Sequence, residues 1–235
     1  LPGVYSLRGG GGADQDVART YLVHGDADLV LNIVDASNLE RHLAMTFELM
    51  QVGRPMVMVL NMVDEAEAMG MLPNPERLSE TLGIPVVPMV ARTGKGRAQL
   101  IEAIEKALAN PPIVHTHVFE PAIENPLRHL RAHMPGRTYA EKRFEALRLI
   151  EELVDPDSPE VAEALTATRE AIEVLTGEAA ADAVAGYRFG WAHDTARQGI
   201  GYRHKHRAGN PTTETIDNIV LSDWFGVPIF LAVLY

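Results

Sequence analysis

Apolar and polar positions follow one another along the first 110 residues in a pattern that predicts alternating strands and helices. Continuous apolar runs at residues 28–35, 54–61 and 84–91 are typical of strands covered on both faces. Between and after these runs, apolar residues recur at helical spacing, as in Leu39, Leu43, Phe47 and Met50, and again in Leu100, Ile104 and Leu108. Strand followed by helix, three times over, predicts an α/β fold with a parallel sheet and flanking helices.

The pattern changes after Pro111, because no further β-branched run occurs before the last segment of the chain. Helical spacing of apolar residues predicts helices near residues 144–154, 161–175 and 184–191, which can pack as a small all-α bundle. Glu-rich helix faces such as residues 150–155 are expected to be solvated. We therefore predict a first domain over residues 1–110, a Pro-rich linker over 111–126, a helical domain over 127–214 and a separate segment over 215–235.

The final segment is apolar from Trp224 to Tyr235, and two interpretations of it stay open. Those 12 residues fit a terminal core element, whereas a helix that crosses a bilayer needs about 20 residues. Basic residues at 203–207 precede the segment, as the positive-inside bias requires of a chain entering a membrane from the cytoplasm. This favours the start of a transmembrane helix. The chain begins at Leu1 with neither a Met nor a signal peptide, and its last apolar segment stops after 12 residues, at Tyr235. We therefore expect the chain to be truncated at both ends.

Composition and charge restrict the classes of function. The formal net charge of −11 makes general nucleic-acid binding unfavourable. The absence of cysteine excludes disulfides, thiolate nucleophiles and thiolate metal sites. His193, His204 and His206 do not form a metal-ligating pattern, because no carboxylate partner is spaced with them and a lysine separates the last two. No metal site is predicted.

Polar residues follow two consecutive predicted strands where those strands end. Asn61 and Asp64 close the second strand, and Ala91 and Arg92 open a glycine-containing loop after the third. Ligands of open parallel sheets bind beyond the carboxyl ends of the strands. An Asp carboxylate can accept from both the ring N1–H and the exocyclic amino group of guanine, and a backbone N–H near Ala91 can donate to the guanine carbonyl oxygen. An ordinary Asn/Asp turn explains one motif alone, whereas both in this order favour guanine recognition.

These motifs resemble those of Ras-like P-loop GTPases. The tetrapeptide at 61–64 resembles the fourth motif of that class and the one at 90–93 the fifth, while residues 1–3 resemble the end of the third, D-x-x-G, without its Asp. The resemblance is closest to the GTPase domain of the ferrous iron transport protein B family, through "LPGVYSL" at 1–7, "VDASNLERHL" at 34–43 and "LNMVDEA" at 60–66. It assigns nucleotide contacts to Leu1, Pro2, Gly3, Asn61, Met62, Val63, Asp64, Val90, Ala91, Arg92 and Thr93.

The resemblance implies a GTPase domain, a helical spacer domain and then a first transmembrane helix, on the cytoplasmic side of a bacterial inner membrane. GTP or GDP with Mg²⁺ would be the cofactor of the intact protein, and GTP hydrolysis would drive or gate the uptake of Fe²⁺, an ion carried elsewhere in the protein. The implied partners are the guanine nucleotide and the protein's own transmembrane domain, with small Feo accessory proteins and further copies of the chain as candidates.

The sequence also departs from the family pattern. No P-loop, G-x-x-x-x-G-K-[ST], and no first-switch Thr occur in the chain. We therefore assign no catalytic residue, and we expect this chain alone to bind nucleotide poorly and to lack hydrolytic activity. The alternative is a soluble Ras-like GTPase of ribosome or tRNA maturation with a helical partner-binding domain, which the acidic net charge disfavours.

Overall fold

The computed structural model describes residues 27–112, 114, 118–134 and 138–202, together with Val17 and residues 20–22. The strands are β1 (Val30–Asp35), β2 (Met56–Asn61), β3 (Met71–Pro73), β4 (Val86–Pro88) and β5 (Ile200–Tyr202). The helices are α1 (Leu39–Val52), α2 (Val63–Ala68), α3 (Pro75–Leu82), α4 (Arg97–Ala109), α5 (Pro121–Ala132), α6 (Tyr139–Ile150), α7 (Pro159–Thr176) and α8 (Ala180–Gly199). A short 3-10 helix, Ala36–Asn38, joins β1 to α1.

The three predicted strands form one parallel sheet in the order β1-β2-β4. Val30 pairs with Met56 at the start of the first ladder, and Asp35 pairs with Asn61 at its end. The fold is therefore the predicted Ras-like arrangement of a parallel sheet with flanking helices, followed by a helical region. The sequence pattern did not predict β3 and β5, which pair as a second sheet of two short strands.

Local sequence signals account for the helix ends. Asn74 accepts a hydrogen bond from the backbone N–H of Arg77 at the start of α3, where Pro75 occupies the first helical position. Gly83 then ends the helix in the left-handed conformation, with φ of 67°. Ser158 and Gly177 cap α7 in the same way. Both helices thus end at a glycine in the left-handed conformation.

Coverage of the sheet is less even than the apolar pattern predicts. Strand β2 is buried along its length, but Leu31 and Ile33 of β1 are 43% and 64% exposed. The prediction that β1 is covered on both faces is therefore wrong. The reason is that α1 covers one face of β1, whereas on the other face α4 packs over β2 and β4. Helix α4 also turns Leu108 outward, because its buried position is Ala107.

Two apolar cores meet at helix α1. The first core lies between the sheet, α1, α3 and α8. The second fills the bundle of α5 to α8 and includes Phe47 of α1. Phe47 makes edge-to-face contacts with Phe119 at 5.6 Å and Trp191 at 5.0 Å between ring centroids. Since the elements from β1 to α8 belong to one compact unit, α1 serves the sheet and the bundle at once.

The helical region differs from the predicted layout in two details. Helix α5 starts at Pro121, within the segment that the sequence marks as a linker. Glu151 is not solvated, because its carboxylate is buried in an ion pair with Arg188 of α8. Among the described residues, no helix is both long and apolar enough to cross a membrane. The segment 215–235, predicted to begin such a helix, lies outside the described residues.

Candidate functional site

The two polar motifs lie together at the carboxyl edge of the sheet. Strand β2 ends at Asn61 and strand β4 at Pro88, and both run in the same direction. The Asn61 side-chain oxygen accepts a hydrogen bond of 3.0 Å from the backbone N–H of Ala91. This bond joins two loops that are 30 residues apart in the sequence. The two loops therefore form one surface beyond the strand ends.

Backbone geometry places Asp64 at this surface. Met62 adopts the left-handed conformation, with φ of 61°, which is uncommon for a residue with a side chain. Such conformations are held by the surrounding structure and cluster at functional sites. The next residue, Val63, is buried and anchors the start of α2. The turn thus places the Asp64 carboxylate, 38% exposed, beside the second loop.

Arg92 contacts that carboxylate from the second loop. Its Nη2 lies 3.2 Å from Oδ2 of Asp64, and its side chain is 79% exposed. The two loops are therefore joined twice, by the bond from Ala91 to Asn61 and by this ion pair. An exposed ion pair of this kind is weak and is screened by salt.

The second loop is a closed turn with a fixed shape. The backbone N–H of buried Val90 donates to the carbonyl of Lys95 at 3.0 Å, and Thr93 donates from its hydroxyl to the Val90 carbonyl at 3.2 Å. Gly96 follows with φ of 89°, and a Cβ at this position would overlap the carbonyl oxygen of Pro88. The turn therefore presents Ala91 and Arg92 at its tip.

Most backbone N–H groups at the tip of the second loop are already hydrogen-bonded, either to the first loop or within the turn. The N–H of Ala91 is bonded to Asn61, and those of Thr93 and Gly94 are bonded to Val90 within the turn. Within the described part of the chain, the N–H of Arg92 has no acceptor. The N–H of Arg92 is thus a donor next to Ala91 that is not used within the turn.

Asp35, which the sequence analysis did not assign to the site, lies at the same edge. It pairs in register with Asn61 and accepts from the backbone N–H of Ser37 at 2.8 Å and from the amide of Asn38 at 2.9 Å. Burial raises the pKa of this carboxyl, but the hydrogen bonds from Asn38 and Ser37 lower it by more, so the pKa lies below its ordinary value. Its position at the end of a strand, before Ser and Asn, was the available signal.

The remaining predicted residues differ in what the structure describes of them. Leu1, Pro2 and Gly3 lie outside the described residues. Val90 is buried and acts through its backbone. Within the described ranges, no three His, Asp or Glu side chains are grouped so as to hold a metal ion. His193 does have a carboxylate neighbour, contrary to the sequence argument, because its Nδ1 lies 3.1 Å from Oε2 of Glu40 on α1.

Comparison with known sequences identifies relatives of this chain. Residues 1–104 match the family model described as ferrous iron transport protein B. The chain is 32% identical over 264 aligned positions to the Fe(2+) transporter FeoB of Salmonella typhimurium. This alignment covers 100% of the chain and 31% of the relative. The Escherichia coli K12 transporter of the same name is 37% identical over 155 positions, covering 64% of the chain and 20% of the relative. The chain thus spans less than a third of the length of these relatives.

Solved structures show the same fold. A GDP-bound point mutant of the S. thermophilus FeoB G-domain aligns with a TM-score of 0.78 at 26% identity, covering 86% of this chain and 80% of the other. The NFeoB structure from S. thermophilus bound to GDP.AlF4⁻ and K⁺ aligns with a TM-score of 0.76 at 27% identity, covering 84% and 79%.

Proposed function

Because this chain belongs to the ferrous iron transport protein B family, we propose that it is the guanine-nucleotide-binding cytosolic region of a membrane Fe²⁺ transporter. The observation that carries this proposal is the 3.0 Å hydrogen bond from the backbone N–H of Ala91 to the Asn61 side chain, which joins the loop after β2 to the loop after β4. That bond brings the Asp64 carboxylate and the tip of the second loop to one surface. Nucleotide-bound relatives of the same fold support the assignment.

The chemistry of the proposed site favours guanine over adenine. The Asp64 carboxylate offers only acceptors, and guanine presents two adjacent donors, N1–H and the 2-amino group, that can bind both of its oxygens. The N–H of Arg92, which has no acceptor among the described residues, can then donate to the carbonyl oxygen that guanine carries at the neighbouring position. Adenine has an acceptor at N1, which would leave the carboxylate unpaired and repelled.

In the intact protein, we propose that GTP hydrolysis drives or gates Fe²⁺ uptake from the cytoplasmic side of the inner membrane. The nearest partner would be the protein's own transmembrane domain, reached through the helical domain at residues 127–214 and the segment at 215–235. Mg²⁺ would accompany the nucleotide there, but the described residues offer no cluster that fits it. Because the chain contains no P-loop sequence and no first-switch Thr, we expect no hydrolysis by this chain alone.

Nucleotide titrations test the proposal. We expect calorimetry with GDP to give a dissociation constant weaker than micromolar, because a P-loop sequence is absent from the chain. In NMR titrations, millimolar GMP should shift the amide signals of residues 61–64 and 90–93, whereas AMP should not. Asp64→Asn should remove this preference, and Glu65→Gln, one position along the same helix turn, should keep it. Equal shifts with GMP and AMP would contradict the proposed specificity, and micromolar GDP binding would contradict the weak affinity.

A further inference from the structure

We propose that Arg92 is a positioning residue that sets guanine specificity by holding the carboxylate of Asp64 in the orientation that the base requires. This inference rests on the proposed guanine site. It assigns the Arg92 side chain a role that differs from a direct contact with the nucleotide. The ion pair between Nη2 of Arg92 and Oδ2 of Asp64, at 3.2 Å, is the observation from which it starts.

Two-donor recognition depends on how the carboxylate is oriented. Both oxygens must lie in the plane of the base to accept from N1–H and from the 2-amino group together. The turn at Met62 and buried Val63 fix the backbone of Asp64, but they do not fix the rotation of its carboxylate. Arg92 is the side chain that the structure shows bonded to that group. Its donor therefore limits the rotation that the backbone leaves open.

The ion pair is compatible with a bound base. Each carboxylate oxygen has two lone-pair sites, so one donor on Oδ2 leaves the other site of Oδ2 and all of Oδ1 for guanine. The high exposure of Arg92 lets the guanidinium lie to the side of the base position. The pair also spans 28 residues of sequence and joins the same two loops as the bond from Ala91 to Asn61. Side chain and backbone of Arg92 thus contribute separately, the first through Asp64 and the second through the free N–H.

The expected effect is small and specific. Exposed ion pairs contribute little, which limits the loss of guanine preference to roughly two- to fivefold. The loss should be greatest for a ligand that uses both oxygens of Asp64. Hypoxanthine lacks the 2-amino group and so uses one donor, which makes IMP a matched reference for GMP. Because the two nucleotides carry the same phosphate and sugar, the ratio of their affinities isolates the base edge.

The test compares GMP and IMP affinities for the full 235-residue chain by NMR titration. We expect Arg92→Gln to reduce the preference for GMP over IMP by roughly two- to fivefold and Arg92→Lys to restore part of it, since Lys keeps the charge without the planar fork. Arg77→Gln is the control, because it breaks another exposed ion pair, with Glu80 at 3.5 Å, on a helix outside the site. High salt should bring the wild-type preference toward that of Arg92→Gln.

Three results would overturn the inference. An unchanged ratio of GMP to IMP affinity in Arg92→Gln would show that Asp64 is oriented without Arg92. A raised preference for GMP would show that Arg92 competes with the base for Asp64. If GMP produces no shifts in the wild-type chain, the proposed function fails and this inference fails with it, whereas shifts with an unchanged ratio leave the proposed function intact.

Discussion

Removal of the Arg143 side chain tests how the bundle is joined to α1. Arg143 is fully buried, with Nη1 and Nη2 at 2.5 and 2.8 Å from the two carboxylate oxygens of Glu124 and Nε at 2.8 Å from Oε1 of Gln51. Glu124 also accepts from the backbone N–H of Phe119 at 3.1 Å. The three elements α1, α5 and α6 are therefore joined through one guanidinium.

The magnitude follows from what the substitution leaves behind. Arg143→Met keeps an apolar side chain of similar length but leaves the buried Glu124 carboxylate without its counter-charge. Breaking one partner of a buried pair costs about 3–5 kcal/mol of unfolding free energy. Adding Glu124→Gln removes the stranded charge and keeps an oxygen for the Phe119 N–H, so the double variant should recover at least about 1–2 kcal/mol.

Urea unfolding followed by circular dichroism measures these differences. Lys106→Met is the control, because it breaks an ion pair with Glu102 that is exposed on α4 and should leave the unfolding midpoint unchanged. The reasoning is refuted if Arg143→Met loses less than about 1 kcal/mol. It is also refuted if the double variant is no more stable than the single one, because the loss would then come from packing and not from the stranded carboxylate.

Two further substitutions probe the candidate site and its edge. Gly94→Ala, at φ of 75° with open space around it, should lower the free energy of unfolding by the backbone strain alone, about 1–3 kcal/mol. Gly96→Ala should lower it by more, because the same strain adds to the overlap with the carbonyl oxygen of Pro88. Equal losses in thermal unfolding would contradict this. Asp35→Asn should destabilise at neutral pH, because the lowered pKa of Asp35 means that its contribution is present above the unfolded pKa of about 3.9 and lost as pH falls through the folded pKa. Thermal unfolding across pH should show the gap from wild type closing in acid, and a constant gap would contradict it.

The sheet could be predicted from sequence because its signals are local. Strand β2 consists of consecutive apolar residues, and Gly83 and Gly177 end helices by a backbone conformation that glycine adopts readily. The nearness of Asn61 to Ala91 followed from a general property of parallel strands, whose carboxyl ends share one edge. These features depend on the types of neighbouring residues in the sequence and on general properties of strands and helices, so they can be predicted without knowing distant contacts.

The buried charges could not be predicted, because each depends on a partner that is distant in sequence. Arg188 lies 140 residues from Glu48, with which it pairs at 2.8 Å, and it also pairs with Glu151. A charged residue on a helix is most often solvated, so the sequence favours an exposed face. The exposure of Ile33 escaped prediction for a related reason, since an apolar run indicates a strand but not which helices cover it.

Helix α1 joins the two regions that the sequence pattern separates near residue 110. Its N-terminal end follows the Asp35 turn at the edge of the candidate site, and Asn32 of β1 donates to Thr46 at 2.8 Å in its middle. Its C-terminal half gives Phe47 to the core of the bundle and Glu48 to a buried ion pair with Arg188. A chain ending at residue 110 would expose the Phe47 side chain and leave the Glu48 carboxylate without Arg188. Sheet and bundle therefore stabilise each other through this helix, which follows the Asp35 turn at the edge of the candidate site and supplies Glu48 to the buried charges of the bundle.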